Sequence, residues 1–121
     1  MSEWRVVKLE LARTEAFPSG SPGRSYLIRL PLDENGLIDE LARAFEPHRA
    51  TVRRFWANEP DQSGYIIKVP NGWAFSYAVA EDDDEPIFHL EDHPIRDGEY
   101  LTLTEPDGTR LPFRVVSMAS A

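Results

Sequence analysis

The chain has no cysteine among its 121 residues. This excludes a disulfide framework, a thiolate metal site and a thiol nucleophile, and it agrees with a cytoplasmic protein. No stretch approaches the ~18 consecutive apolar residues of a membrane-spanning helix. The N-terminus lacks a basic segment followed by a long apolar run, which is the pattern of a signal peptide. We therefore expect a cytoplasmic protein with no membrane partner.

Positive charge is scarce. Lys and Arg number 13 against 21 Asp and Glu, so the formal net charge is −8. Residues 1–58 carry nine Lys and Arg against eight Asp and Glu, whereas residues 59–121 carry four against thirteen and so hold all of the excess negative charge. A nucleic-acid-binding protein should present a basic field, so no nucleic-acid partner is expected. The acidic half suits a basic protein or peptide, or it serves only to keep the protein soluble.

Motifs for catalysis are also missing. No serine lies in a nucleophile elbow, and no glycine-rich loop follows a strand and opens a helix. Carboxylates are so numerous that no pair stands out as an acid and a base. The sequence therefore favours a non-catalytic module that binds a protein or peptide at an acidic docking surface.

Hairpin signals are what the chain does contain. Asn71-Gly72 and Asp107-Gly108 each separate two short apolar runs, and both dipeptides tolerate the backbone of a tight turn. If Asn71 and Gly72 form the turn, Phe75 pairs with Lys68 across the hairpin. Pro70 cannot donate to the ladder, so a wider loop and a shifted register stay open.

One helix is predicted near residues 36–46. Leu37, Ile38, Leu41 and Phe45 recur at helical spacing and would form its apolar face. Asp33 or Asn35 can cap its start. Pro47 would end it, because the residue before a proline avoids the helical region.

The remaining pattern is typical of short strands. We predict a single domain over residues 1–121 with a mainly β (α+β) fold. Its antiparallel sheet of seven or eight strands curls into a partial β-barrel, and the helix covers one opening. An open α+β sandwich is the alternative. The tail Ser117–Ala121 is expected to fray. The expected strands are 4–12, 26–30, 50–57, 65–69, 73–79, 87–90, 99–105 and 109–116.

An acidic run is the leading candidate for partner binding. It consists of Glu81, Asp82, Asp83, Asp84 and Glu85. It lacks the alternating ligands, central glycine and terminal glutamate of a calcium loop. The run is therefore either a solvated loop or the docking site of a basic protein or peptide.

A cluster of Arg53, Arg54 and Trp56 joins the partner-binding set. Basic and aromatic side chains together can bind single-stranded nucleic acid by stacking and phosphate contact. In an acidic chain we favour two other interpretations. The arginine stems cover aromatic core residues, or the guanidinium groups pair with the acidic run.

Metal binding is the alternative function. His89 and His93 lie four residues apart, with Glu91 and Asp92 between them. A strand and a turn could bring them onto a divalent zinc or manganese ion, with a carboxylate as the third ligand. The protein would then be a small metal-dependent enzyme or metal binder. Otherwise no cofactor is expected.

Two further points stay open at the level of sequence. Trp73, Phe75 and Tyr77 form an aromatic stripe that is either core or a recognition surface, and the strand alternation favours core. A homodimer formed through sheet edges is a further possibility.

Overall fold

The computed structural model describes residues 2–70, 72–77, 85–88, 94–105 and 108–121. In chain order the strands are β1 (Glu3–Leu11), β2 (Ser21–Leu32), β3 (Thr51–Trp56), β4 (Gln62–Val69), β5 (Gly72–Ser76), β6 (Glu85–Phe88), β7 (Tyr100–Thr104) and β8 (Arg110–Ser120). A short helix, α1 (Glu40–Phe45), and a 3-10 turn, Pro47–Arg49, connect β2 to β3. The predicted mainly β fold with a single short helix is confirmed.

The strands form one antiparallel barrel. Each strand pairs with the next along the chain, and β8 returns to pair with β1. Each described strand thus has a neighbour on both sides, so none presents a free edge. The structure confirms the antiparallel barrel, which closes more fully than the partial curl predicted, and it excludes the open sandwich.

The C-terminal tail completes this barrel. Ser120 pairs with Arg5, Ala119 pairs with Val6, and the Ala121 N–H donates to the Trp4 carbonyl at 3.0 Å. The prediction of a frayed tail was wrong. The backbone of β1 needs hydrogen-bond partners on its second edge, and the last residues of the chain supply them.

The hairpin of β4 and β5 has a register shifted from the one that Asn71-Gly72 predicts. Phe75 pairs with Ile66, Trp73 pairs with Lys68, and Gly72 pairs with Val69. The shift is two residues, so every side chain keeps its predicted face. Pro70, which has no N–H for the ladder, falls in the connection instead of in the strand pair.

Helix α1 is shorter than predicted and has a different cap. The Asp39 carboxylate accepts a hydrogen bond from the Ala42 N–H at 3.0 Å. Asp33 instead stabilises the preceding turn, where its carboxylate accepts from the N–H groups of Asn35 and Leu37 at 2.8 and 3.0 Å. The prediction that Asp33 or Asn35 caps the helix was therefore wrong.

The apolar face of α1 does not cover the barrel. Leu41 and Phe45 are 84% and 88% exposed, and no residue of the helix is buried. Ile95 fills space near this end of the barrel instead. Its side chain is fully buried, and its N–H donates to the Gly36 carbonyl at 2.7 Å. The prediction that the helix covers an opening of the barrel was wrong, and the buried residue near this end comes from a segment far along the chain.

The Asp39 cap makes stability sensitive to acid. Hydrogen bonds from the Ala42 N–H and the Ser2 side chain lower the pKa of Asp39. Asp39→Ala should reduce the free energy of unfolding by at most about 1 kcal/mol at pH 7. A lowered carboxyl pKa stabilises the fold above the unfolded-state pKa, and this contribution is lost as the pH falls through the folded-state value.

Urea unfolding of both proteins checks this prediction. The difference between wild type and Asp39→Ala should shrink as the pH falls from about 4 towards 2. Glu34→Ala is the control, because Glu34 is exposed and does not cap the helix. A difference that stays the same from pH 7 to pH 2 would contradict the assigned role of Asp39.

Large apolar side chains fill the barrel interior. The Tyr26 ring is central, with its centroid 5.2 Å from Phe75 and 5.1 Å from Phe113. All three side chains are at most 1% exposed. An eight-stranded barrel is either filled by side chains or holds one small ligand, and this one is filled.

The aromatic stripe belongs largely to this core. Trp73 and Phe75 are 2% and 0% exposed, and the ring of the partly buried Tyr77 lies 6.4 Å from the Phe75 ring. The interpretation of the stripe as core is confirmed for its two fully buried members. Separately, none of the helices within the described ranges is long and apolar enough to cross a membrane.

Candidate functional site at one end of the barrel

Four strand ends meet at one end of the barrel, which we name the β3–β4 end. Arg54 near the end of β3 pairs with Gln62 at the start of β4. The backbone of Gly64 on β4 lies directly against Ser76, where β5 ends. The first residue of β6 is opposite Phe75. The sequence between β5 and β6, which includes the acidic run, is thus joined to the barrel at this end.

Arg54 makes contacts with Tyr26, Glu59 and Trp56 that hold it in place. Only 9% of the surface of Arg54 is exposed to solvent. Its Nε donates to the Tyr26 hydroxyl at 3.4 Å, one terminal nitrogen donates to Glu59 at 3.2 Å, and its guanidinium lies 4.0 Å from the centre of the Trp56 ring. A buried guanidinium needs such partners, because an unpaired one would carry a large desolvation cost.

Trp56 contacts a second arginine from the neighbouring strand. Arg24 pairs with Trp56 across β2 and β3, and its guanidinium is 5.7 Å from the Trp56 ring and 4.2 Å from the Phe17 ring. Arg24 also donates to the Ser21 hydroxyl at 3.1 Å. Phe17 lies in the β1–β2 connection, so these cation–π contacts tie that loop to β3.

Arg53 points away from the core. Its side chain is about half exposed, stacks 5.1 Å from the Phe55 ring and lies 4.0 Å from an Asp61 carboxylate oxygen. Glu59 and Asp61, the two carboxylates that face Arg54 and Arg53, are themselves about half exposed. Arg53, Glu59 and Asp61 are therefore accessible to a partner, whereas Arg54 mainly positions Trp56.

The acidic run lies mostly outside the described residues. This applies to Glu81, Asp82, Asp83 and Asp84. The backbone of Glu85 is described and forms the first position of β6. Residue 85 therefore belongs to a strand and not to the predicted loop. The predicted strand 87–90 begins two residues earlier than expected.

The predicted metal ligands His89, Glu91, Asp92 and His93 also lie outside the described residues. They follow the C-terminal end of β6 in the sequence, whereas residues 81–84 of the acidic run precede its N-terminal end. The two predicted sites are thus attached to opposite ends of one strand. Among the residues that are described, no group of three or more His, Asp or Glu side chains is arranged to hold a metal ion.

Several members of the site were not predicted from the sequence. Arg24 contacts Trp56 only because β2 pairs with β3 in one particular register, and Phe17 is linked to Trp56 through Arg24. Glu59 and Asp61 follow β3 directly, and their charge signs opposite Arg53 and Arg54 could have indicated the pairing. No local pattern links Phe17 to Trp56, which is 39 positions later in the sequence.

Comparison with protein-family models, curated proteins and solved structures gives no match to this chain. Its function is therefore inferred from its own geometry and charge.

Proposed function

We propose that this protein is a non-catalytic binding module that docks a basic protein or peptide at the β3–β4 end of the barrel. The acidic run Glu81–Glu85 is the main contact, and Arg53, Arg54 and Trp56 form the framework beside it. The cytoplasm is the compartment expected from the cysteine-free composition.

The filled interior supports a surface function. The middle of the barrel, where some other eight-stranded barrels hold a small ligand, is occupied by Tyr26, Phe75 and Phe113. Binding would therefore use loops at the barrel ends or the outer face. Each described strand is already paired on both sides, so we do not propose a homodimer through sheet edges.

The charge balance at the β3–β4 end carries the proposal. Arg54 and Arg53 already face carboxylates of the following connection, Glu59 and Asp61. The arginines therefore do not make this end a positive surface. The sequence that runs from the end of β5 into the start of β6 contains the acidic run, with five further carboxylates. An excess of negative charge at one end attracts a basic partner and speeds the encounter.

A lysine-rich peptide is a suitable probe of this surface. The triple change of Asp82, Asp83 and Asp84 to Asn should weaken peptide binding by about tenfold, measured by isothermal titration calorimetry. Wild-type binding should also weaken steeply between about 50 and 500 mM salt, because exposed charges are screened.

A matched control separates the acidic run from net charge. Changing the exposed Glu34 and Glu40 to Gln and Asp97 to Asn also removes three negative charges, but away from the β3–β4 end. This control should change the affinity by less than about twofold. Equal weakening in both triple variants, or binding that does not depend on salt, would contradict the proposal.

A further inference from the structure

A polar groove lies on the outer face of the barrel, beside the β1–β2 connection. The volume of this groove is about 410 Å³. That is within the ~300–1,000 Å³ of small-molecule sites. One wall is formed by β7, β8 and β1, and the other by the β1–β2 connection. Its polar lining comes from Glu10, Arg13, Ser19, Ser21, Tyr100 and Arg114.

Two arginines of this groove have no partner in the described structure. All thirteen basic residues of the chain lie in the described ranges. Ten of them form at least one ion pair, side-chain hydrogen bond or aromatic contact within those ranges. The three that form none there are Arg13, Arg29 and Arg114. Two of these three arginines line the same groove.

Arg114 forms no ion pair with Glu10, the carboxylate directly across from it in the sheet. Arg114 lies directly across from Glu10 in the β1–β8 ladder, and Tyr100 pairs with Arg114 on its other side. The Glu10 carboxylate forms its ion pair with Lys8, at 3.5 Å, and not with Arg114. The Arg114 guanidinium and the exposed Tyr100 ring therefore both remain accessible in the groove.

The opposite wall is organised before any ligand binds. The Thr14 and Phe17 backbones exchange hydrogen bonds at 3.0 and 3.1 Å, and the Gly20 N–H donates to the Phe17 carbonyl at 2.9 Å. Gly20 has φ +77°, and a Cβ there would lie 2.7 Å from the Leu11 carbonyl oxygen. A wall fixed in this way loses little conformational entropy when a ligand binds.

We propose that this groove binds a phosphate group, either free or carried on a small hydroxylated molecule. Arg13 and Arg114 would donate charge-assisted hydrogen bonds to the phosphate oxygens, with Ser19 and Tyr100 as further donors. Glu10 accepts hydrogen bonds only, so it suits a hydroxyl group carried beside the phosphate. Two arginines without a partner among the described residues, in one groove of a protein of net charge −8, favour an anionic ligand over a basic one.

Glycerol 3-phosphate and inorganic phosphate are the probes, titrated at constant ionic strength and followed by NMR of the ¹⁵N-labelled protein. Arg114→Gln should weaken binding by about tenfold or more, because a charge-assisted hydrogen bond to phosphate is lost. Arg29→Gln is the matched control: Arg29 is also exposed and unpartnered in the described structure, but it lies outside the groove. It should change the affinity by less than about twofold.

The two probes identify the source of the phosphate. Tighter binding of glycerol 3-phosphate that Glu10→Gln abolishes would assign a hydroxylated phosphate monoester, and equal binding of both probes would assign free phosphate. Equal weakening by Arg114→Gln and Arg29→Gln would overturn the proposal, since it would show only long-range charge. No saturable binding up to about 20 mM of either probe would overturn it as well. Arg114 is exposed, so the folded state of the variant can be verified by its unchanged thermal unfolding.

Discussion

Phe75→Ala should lower the free energy of unfolding by about 3–5 kcal/mol, which is the usual cost of removing a buried phenyl ring. Phe75 is fully buried, and its ring centroid lies 5.2 Å from Tyr26 and 6.4 Å from Tyr77. Truncation of the side chain leaves a cavity inside the barrel. The surrounding strands cannot move in to fill it, because each is hydrogen-bonded to a neighbour on both sides. Because a domain of this size is stable by only about 5–15 kcal/mol, the variant should unfold at much lower urea concentration.

Tyr65→Ala is the control for this change. Tyr65 lies on β4, beside β5 in the same sheet, and it is 52% exposed. Its truncation should cost less than about 1 kcal/mol, because it buries little additional surface. Similar losses in the two variants would show that Phe75 is not part of a packed interior, and would contradict the filled barrel.

Gly64→Ala should lower the free energy of unfolding by about 3 kcal/mol, although it adds a single methyl group. A Cβ at Gly64 would overlap the carbonyl oxygen of Ser76 and lie 2.7 Å from the Tyr77 Cα. Both obstacles are backbone atoms, so no side-chain rotation can relieve the overlap. Relief requires β4 and β5 to move apart at the β3–β4 end.

Gly23→Ala provides the matched comparison. A Cβ at Gly23 would lie 3.5 Å from the Ala57 Cβ, which is an ordinary contact. Its effect should stay within about 1 kcal/mol of wild type and is of either sign, since alanine also restricts the unfolded chain. Equal effects of the two substitutions in urea unfolding would contradict the close approach of β4 and β5 at Gly64.

The strand pattern of the barrel could be predicted because it is local. Val7, Leu9 and Leu11 alternate with polar residues, and all three are buried. The hairpin position at Asn71-Gly72 was also predicted, but its register was not. A two-residue shift changes no face, so the hydrophobic pattern cannot distinguish the two registers. Only the missing N–H of Pro70 favoured the observed one.

The packing of the helix could not be predicted in the same way. The spacing of Leu41 and Phe45 indicates a helical face but not what that face contacts. Ile95, which is buried near this end of the barrel, is 50 positions after Phe45 in the sequence. Tertiary packing decides which of two distant apolar segments is buried. The periodicity of apolar residues in the sequence contains no information about that choice.

The candidate site shows the same limit. The positions of Arg53, Arg54 and Trp56 suggested a cluster, because neighbouring residues stay close in any fold. The contact of Arg24 with both Phe17 and Trp56 depends on the pairing of β2 with β3. The groove that contains Arg13 and Arg114 likewise depends on the pairing of β8 with β1. Neither the Arg24 contacts nor the groove could be predicted from the sequence, because each depends on which residues face each other across neighbouring strands.

The most direct test of a docking surface at the β3–β4 end uses the three tryptophan side chains as reporters. Trp56 lies at that end, whereas Trp4 and Trp73 lie near the opposite end of the barrel. The indole N–H signals of the ¹⁵N-labelled protein should be followed while the lysine-rich peptide is added. The account predicts that the Trp56 signal shifts with saturation and that the Trp4 and Trp73 signals stay in place. Shifts confined to Trp4 or Trp73 would place binding at the wrong end and contradict it.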